Sequence, residues 1–175
     1  HIHGFDINPF AVNISEMNLL FQVIDLYSKA VKEDRSFKVP RFKVYETDSL
    51  EIPTNQTNLI QFYGATGKSL AKDKEAIDEL KKKKYDFVVG NPPYVNISNL
   101  ISSIQIDYYR STYPETVFRN FDLYIPFIQL GVKLTSEKGK MSYICSNQFM
   151  AKDYGKKLRP YLSKNIGIKE LIDFG

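Results

Sequence analysis

Cysteine occurs once in these 175 residues, as Cys145, so neither an internal disulfide nor a thiolate zinc cluster can be built. Its apolar setting, Met141-Ser142-Tyr143-Ile144-Cys145, reads as buried packing rather than as a nucleophile or a metal ligand. No apolar run approaches the ~18 residues of a membrane helix, and no basic-then-apolar signal opens the chain, so a cytoplasmic protein with no membrane partner is expected. Gly-x-Gly is also missing, which removes the glycine-rich turn that dinucleotide folds place around phosphates. The nearest substitute is Gly64-Ala65-Thr66-Gly67-Lys68-Ser69. It fails as a P-loop, because Phe62 stands where the first glycine is required, with four residues between it and Gly67. A turn before a helix is the better reading. His1 and His3 alternate along an extended run with no acidic partner beside them, so no metal site is expected.

What is present is ordinary globular composition: 43% hydrophobic, 25% charged, and long enough for one core. A net charge of +4 and a pI near 9.0 suit a polyanionic partner without establishing one. The run Lys81 to Lys84 either ends a helix, where lysines oppose the helix dipole, or contacts phosphate. Lys152, Lys156, Lys157, Arg159 and Lys164 form a looser basic group that faces nucleic acid or only water.

Short apolar runs alternate with amphipathic segments, the pattern of a parallel sheet covered by helices, and this predicts an α/β fold. The strands are expected at Ile2 to Ile7, Phe42 to Thr47, Tyr85 to Gly90, Met141 to Ser146 and Ile168 to Phe174. Asn8 suits an N-cap and Pro9 the first turn of a helix whose apolar face carries Phe10, Val12, Ile14, Met17, Leu20, Phe21 and Ile24. Further helices are expected over Ser69 to Lys83, Leu123 to Leu134 and Asp153 to Leu162. Glu51 to Gly67 reads as a polar surface excursion and Glu137 to Lys140 as a turn. No repeat or linker divides the chain.

In open parallel sheets ligands gather at the carboxyl ends of the strands, which singles out Asp6, Asp48, Asn91 and Asn147. An acidic residue there can accept hydrogen bonds from two ribose hydroxyls, or simply cap a turn. Asn91-Pro92-Pro93-Tyr94 is the most specific of these ends. A proline after Asn91 and another after Pro92 hold both residues extended, so the Asn91 carboxamide oxygen and the Pro92 carbonyl stand side by side as two acceptors. Together they can receive both hydrogens of an exocyclic amine, while Tyr94 offers a ring for stacking. Adenine fits that description.

With these companions the chain resembles, over nearly its whole length, the adenine-specific DNA methyltransferases, especially the methylase region of bifunctional type II restriction enzymes. Gly4-Phe5-Asp6-Ile7-Asn8-Pro9 resembles the segment whose acidic residue holds the cofactor ribose, and Thr47-Asp48-Ser49-Leu50 the one that contacts its adenine. Asn91-Pro92-Pro93-Tyr94 is similar to the catalytic motif, and Asp122-Leu123-Tyr124 with Phe127 to the helix lining the cofactor pocket. Ser146-Asn147-Gln148-Phe149 and Tyr154-Gly155-Lys156-Lys157-Leu158-Arg159 look like segments of the restriction-enzyme branch, with no physical role evident from sequence. The resemblance implies a Rossmann-like S-adenosylmethionine-dependent methyltransferase fold with a mostly parallel sheet. It makes Asn91, Pro92, Pro93 and Tyr94 catalytic, Asp6, Ile7, Asp48, Ser49, Leu123 and Phe127 cofactor-binding, and residues 1–175 one partial catalytic domain.

The reaction implied is methylation of adenine N6 in double-stranded DNA, the base being rotated out of the duplex first. Tyr94→Phe is expected to be tolerated, since stacking needs only the ring. Methyltransferases that modify a glutamine amide of release factors share the tetrapeptide, and a non-catalytic nucleic-acid-binding module is a third reading. The family's glycine-rich cofactor loop follows the strand that precedes the one ending at Asp6, and these residues contain none. The chain is therefore expected to be an incomplete fold from a longer polypeptide, with that loop, the target-recognition region and any nuclease domain elsewhere, and to be inactive alone.

Overall fold

The computed structural model describes residues 2–39, 41–50, 74–99 and 103–174. Two compact units emerge, His1–Leu80 and Lys81–Gly175. Helices combine with parallel strand pairs in both, as the α/β reading requires.

In the first unit, β1 (His3–Asp6) pairs in parallel with β2 (Lys43–Glu46), setting Asp6 opposite Glu46. Helix α1 (Pro9–Glu33) joins them. It starts where expected: Asn8 is extended, its Oδ1 accepts the Phe10 N–H at 2.9 Å, and Pro9 occupies a first-turn position that needs no amide hydrogen. Helix α2 (Lys74–Lys82) lays Ile77 and Leu80 against Tyr45, with Phe5 and Ala76 packed beside them. The expected first turn of that helix, residues 69–73, lies outside the described residues, as do the 51–67 excursion and the Gly64–Ser69 turn. The apolar stripe of α1 forms, but of the residues predicted for it only Val12 is buried, and Phe10 is 70% exposed. Periodicity creates such a face, whereas burial needs a second element to cover it.

In the second unit, β3 (Tyr85–Gly90) pairs in parallel with β4 (Thr135–Tyr143), so that Phe87 to Gly90 lie opposite Lys140 to Tyr143. Here the expectation is corrected. The fourth strand begins at Thr135, not Met141, and the predicted turn at Glu137 to Lys140 is largely a bulge opposite Asp86. Gly139 permits it, since a Cβ there would lie 2.7 Å from the Tyr85 carbonyl oxygen. Helix α4 (Tyr124–Leu134) follows α3 (Ser103–Thr112), which the sequence reading missed, and runs directly into β4. Tyr124, Ile125 and Ile128 of α4 are buried, and Thr116 Oγ1 donates to Gln129 Oε1 at 2.7 Å inside this core. Gly131 brings α4 close to the sheet, because a Cβ there would meet the Tyr143 hydroxyl at 2.7 Å.

Beyond β4 the predicted helix Asp153 to Leu162 is divided into a 3-10 turn at Asp153–Lys156 and helix α5 at Leu158–Asn165. The predicted fifth strand is not formed. Residues 166–174 have no regular structure, and Phe174 is 83% exposed. An apolar stretch becomes a strand only by pairing its backbone with a neighbour, and no strand pairs with it among the described residues. No helix among the described residues is long and apolar enough to cross a membrane.

Candidate active site

Strand β3 delivers the tetrapeptide to the carboxyl end of its sheet. Gly90 is required there, because a Cβ would approach the Tyr143 ring to 2.9 Å. The ladder runs one step further through the Ile144 N–H, which donates to the Gly90 carbonyl at 3.2 Å. Pro92 is buried between two exposed side chains, Asn91 and Tyr94, the latter 56% exposed. The Tyr94 hydroxyl lies 2.8 Å from Asn91 Oδ1 and 3.1 Å from the Ile144 carbonyl, so one proton is shared between two acceptors. Asn91 and Tyr94, the expected acceptor and the expected stacking ring, are thus tied to each other and to the end of β4. Asn91 Oδ1 keeps a second lone pair for an incoming amine hydrogen.

In the first unit, the ends of β1 and β2 carry Asp6 and Asp48. Asp6 Oδ1 accepts the Asn8 N–H at 2.8 Å, and Asp48 Oδ1 accepts the Leu50 N–H at 2.8 Å, so both aspartates turn the chain as the bland reading supposed. The Thr47 N–H donates to the Asp6 carbonyl at 2.9 Å, which joins the two strand ends. Capping does not exhaust Asp6. Its side chain is exposed, and a carboxylate has about four lone-pair sites, enough for a pair of ribose hydroxyls besides the turn. Ile7 and Ser49, the next residue in each case, are half-buried. In the second unit Leu123 is buried in the core, whereas Phe127 is half-buried.

The basic residues divide by role. Arg159 donates to the Phe149 carbonyl at 2.8 Å and to that of Lys152 at 3.1 Å, and Lys157 Nζ donates to the Pro114 carbonyl at 2.9 Å. Lys84 bonds the Lys133 carbonyl at the end of α4. Lys152, Lys156 and Lys164 are exposed. Cys145 is half-buried, and burial pushes its thiol above the usual range, against a nucleophilic role.

Sequence reasoning assigned no part to Asn96 or Tyr154. Asn96 Oδ1 accepts the Ser98 N–H at 3.0 Å and the Ser98 hydroxyl at 2.6 Å, a turn that the Asn-x-Ser spacing could have signalled. Its Nδ2 donates to Asp122 Oδ1 at 2.7 Å, and Tyr154 donates to Asp122 Oδ2 at 2.7 Å. No local signal announces either contact.

The profile of the Eco57I restriction-modification methylases matches residues 1–175, the entire chain. The chain belongs to that family. Among curated relatives, the type II methyltransferase M.BstVI of Geobacillus stearothermophilus is 44% identical over 96 residues, 55% of this chain and 17% of the relative. The type II restriction enzyme and methyltransferase RM.Eco57I of Escherichia coli is 35% identical over 99 residues, 55% of this chain and 10% of that protein. The adenine-specific methyltransferase PglX of Streptomyces coelicolor aligns at 27% identity with 98% of this chain and 15% of its own length. The matched stretches are thus a minor part of each relative. As an Eco57I-type methylase chain it has the α/β, Rossmann-like class of the methyltransferases, whose type II DNA members use S-adenosylmethionine as methyl donor.

Proposed function

We propose that residues 1–175 are catalytic sequence of an S-adenosylmethionine-dependent DNA adenine N6-methyltransferase in a restriction-modification system, acting on an adenine swung out of double-stranded DNA. The observation that carries this reading is the amine clamp at the end of β3, with Asn91 and Tyr94 exposed on either side of buried Pro92, in a chain of this family. A cytoplasmic site of action accords with it. The relatives are named as type II or adenine-specific methyltransferases, which favours DNA over a glutamine side chain as the acceptor and transfer over mere binding.

In this reading Asp6 serves the cofactor ribose and Asp48 its adenine, and Ile7, Ser49, Leu123 and Phe127 take the cofactor-binding roles that the family resemblance implies. S-adenosylmethionine supplies, when bound, a methyl group on a positively charged sulfur. Asn91 Oδ1 and the Pro92 carbonyl accept the two N6 hydrogens and direct the nitrogen lone pair away from the ring plane. Positive charge grows on N6 as it is methylated, so both acceptors bind the transition state more tightly than the ground state. The extra proton then leaves N6, and no base is needed beforehand. Tyr94 stacks on the flipped base, worth about 1–3 kcal/mol by comparison with single-strand binders.

The test is incubation of the complete protein with labelled S-adenosylmethionine and either duplex DNA or a release factor. Label is expected on adenine N6 of DNA. Asn91→Ala should abolish transfer while sparing cofactor binding, and near-normal turnover of that variant would sink the assignment.

A further inference from the structure

Asp122 lies 31 residues beyond Asn91 in sequence, yet it anchors the strand segment by which the clamp leaves the site. Directly after Tyr94, the Val95 carbonyl accepts the Leu123 N–H at 2.8 Å, and the Ile97 N–H donates to the Phe121 carbonyl at 2.9 Å. Asn96 and Asp122 are therefore partners in a short antiparallel bridge. Their side chains repeat the pairing, through Asn96 Nδ2 and Asp122 Oδ1 at 2.7 Å.

The other carboxylate oxygen faces the segment after β4. Tyr154 donates to Asp122 Oδ2 at 2.7 Å, and the buried Tyr124 hydroxyl lies 3.1 Å from that of Tyr154. Because Tyr154 gives its proton to the carboxylate, Tyr124 must be the donor to Tyr154, which makes a relay from Tyr124 through Tyr154 to Asp122. Burial, reinforced by the bond that Tyr154 donates to the Asp122 carboxylate, pushes the Tyr154 phenol above its usual range, so it remains a donor at any ordinary pH. Tyr154 is itself fixed: Gly155 packs against the Phe149 carbonyl, where a Cβ would lie at 1.9 Å, and Arg159 bonds that same carbonyl. This gives the Tyr154-to-Arg159 segment a physical task.

We propose that Asp122, held between Asn96 and Tyr154, is a positioning residue for methyl transfer, and that Tyr154 acts through it to hold the exit of the Asn91–Tyr94 clamp in register without touching substrate. The proposal rests on the DNA-adenine reading above. Asp122→Asn would replace one acceptor oxygen by a donor, so either the Asn96 bond breaks or the Tyr154 hydroxyl must turn round to accept, and the charge-assisted bonds of the carboxylate are lost in both cases. Tyr154→Phe removes one bond directly. In the double variant the new amide faces a ring with no hydroxyl to oppose it, and little further loss follows.

The experiment measures kcat and both KM values for the complete protein on duplex DNA, beside the thermal midpoint. Tyr154→Phe and Asp122→Asn should each lower kcat by about three- to tenfold, the size expected for loss of a hydrogen bond acting on the transition state. The KM for S-adenosylmethionine should stay within about twofold, and the double variant should be no worse than the poorer single one. Unchanged kcat in Tyr154→Phe, losses that multiply in the double variant, or losses that follow only a lowered thermal midpoint would each overturn the proposal. If Asp122→Asn does not fold, Tyr154→Phe alone still decides through kcat. Absence of transfer by the wild-type protein would remove the DNA reading and the proposal together, whereas a normal kcat in Tyr154→Phe removes the proposal alone.

Discussion

The Tyr94 hydroxyl stands 2.8 Å from Asn91 Oδ1, so the ring proposed to stack on the base also orients the proposed acceptor. Sequence reasoning had given Tyr94 a ring and no more, and a phenylalanine there was expected to serve as well. The hydrogen bond changes that expectation. Tyr94→Phe should retain the flipped base but let the Asn91 carboxamide rotate, lowering kcat by roughly two- to tenfold, the equivalent of one net hydrogen bond. Steady-state kinetics, with 2-aminopurine fluorescence at the target position as the report on flipping, separates the two effects. Tyr94→Ala should lose both.

Gly155 meets the Phe149 carbonyl oxygen, and an added Cβ would sit 1.9 Å from that backbone atom. Gly155→Ala must push two backbone segments apart and should cost about 1–3 kcal/mol or more, as overpacking does. Gly167 has nothing within 4 Å of its added Cβ, so Gly167→Ala should be nearly neutral. Chemical denaturation of the two variants side by side checks the contrast.

Tyr143 is enclosed by Gly90 and Gly131, and burial pushes its phenol from 10.0 up to about 12, with the Cys145 thiolate as a smaller cause. Below pH 10 the phenol is protonated in both folded and unfolded chains, and its contribution to stability is complete. Between pH 10 and 12 the unfolded chain releases the proton and the folded one keeps it, so stability falls as pH rises. That difference corresponds to about 2–3 kcal/mol at most. Tyr85, Tyr124, Tyr154 and Tyr161 shift in the same direction and add to the slope. Replacing Tyr143 by Phe should therefore flatten the decline of unfolding free energy over that range without abolishing it.

The features legible in the sequence are those whose causes act within a few residues. The Asn8 cap and Pro9 start a helix by local hydrogen bonding and by a missing donor, and α1 begins there. The apolar run Tyr85 to Gly90 became β3 without a change of limits, because a parallel strand is written as a continuous apolar run, although Phe87 and Val89 of β3 are exposed. The tetrapeptide after it was legible because two prolines dictate their own backbone. The beginning of β4 was not, since Glu137 to Lys140 look like a turn and are retained in the strand only by the pairing of Thr135 with Tyr85 and of Lys140 with Phe87.

Residues 1–175 by themselves determined the α/β alternation, the strand ends that carry Asp6, Asp48 and Asn91, and the proline-stiffened Asn91–Tyr94 segment on which the proposed clamp rests, all consequences of side-chain type and short-range sterics. Tertiary structure alone decided that Tyr94 holds Asn91, that Asp122 joins Asn96 to Tyr154, and that the apolar tail from Ile168 to Phe174 forms no strand. Apart from the Tyr94 bond to Asn91, these link residues tens of positions apart, or need a partner strand. Their geometry is set by how helices and sheet pack, which local pattern does not record.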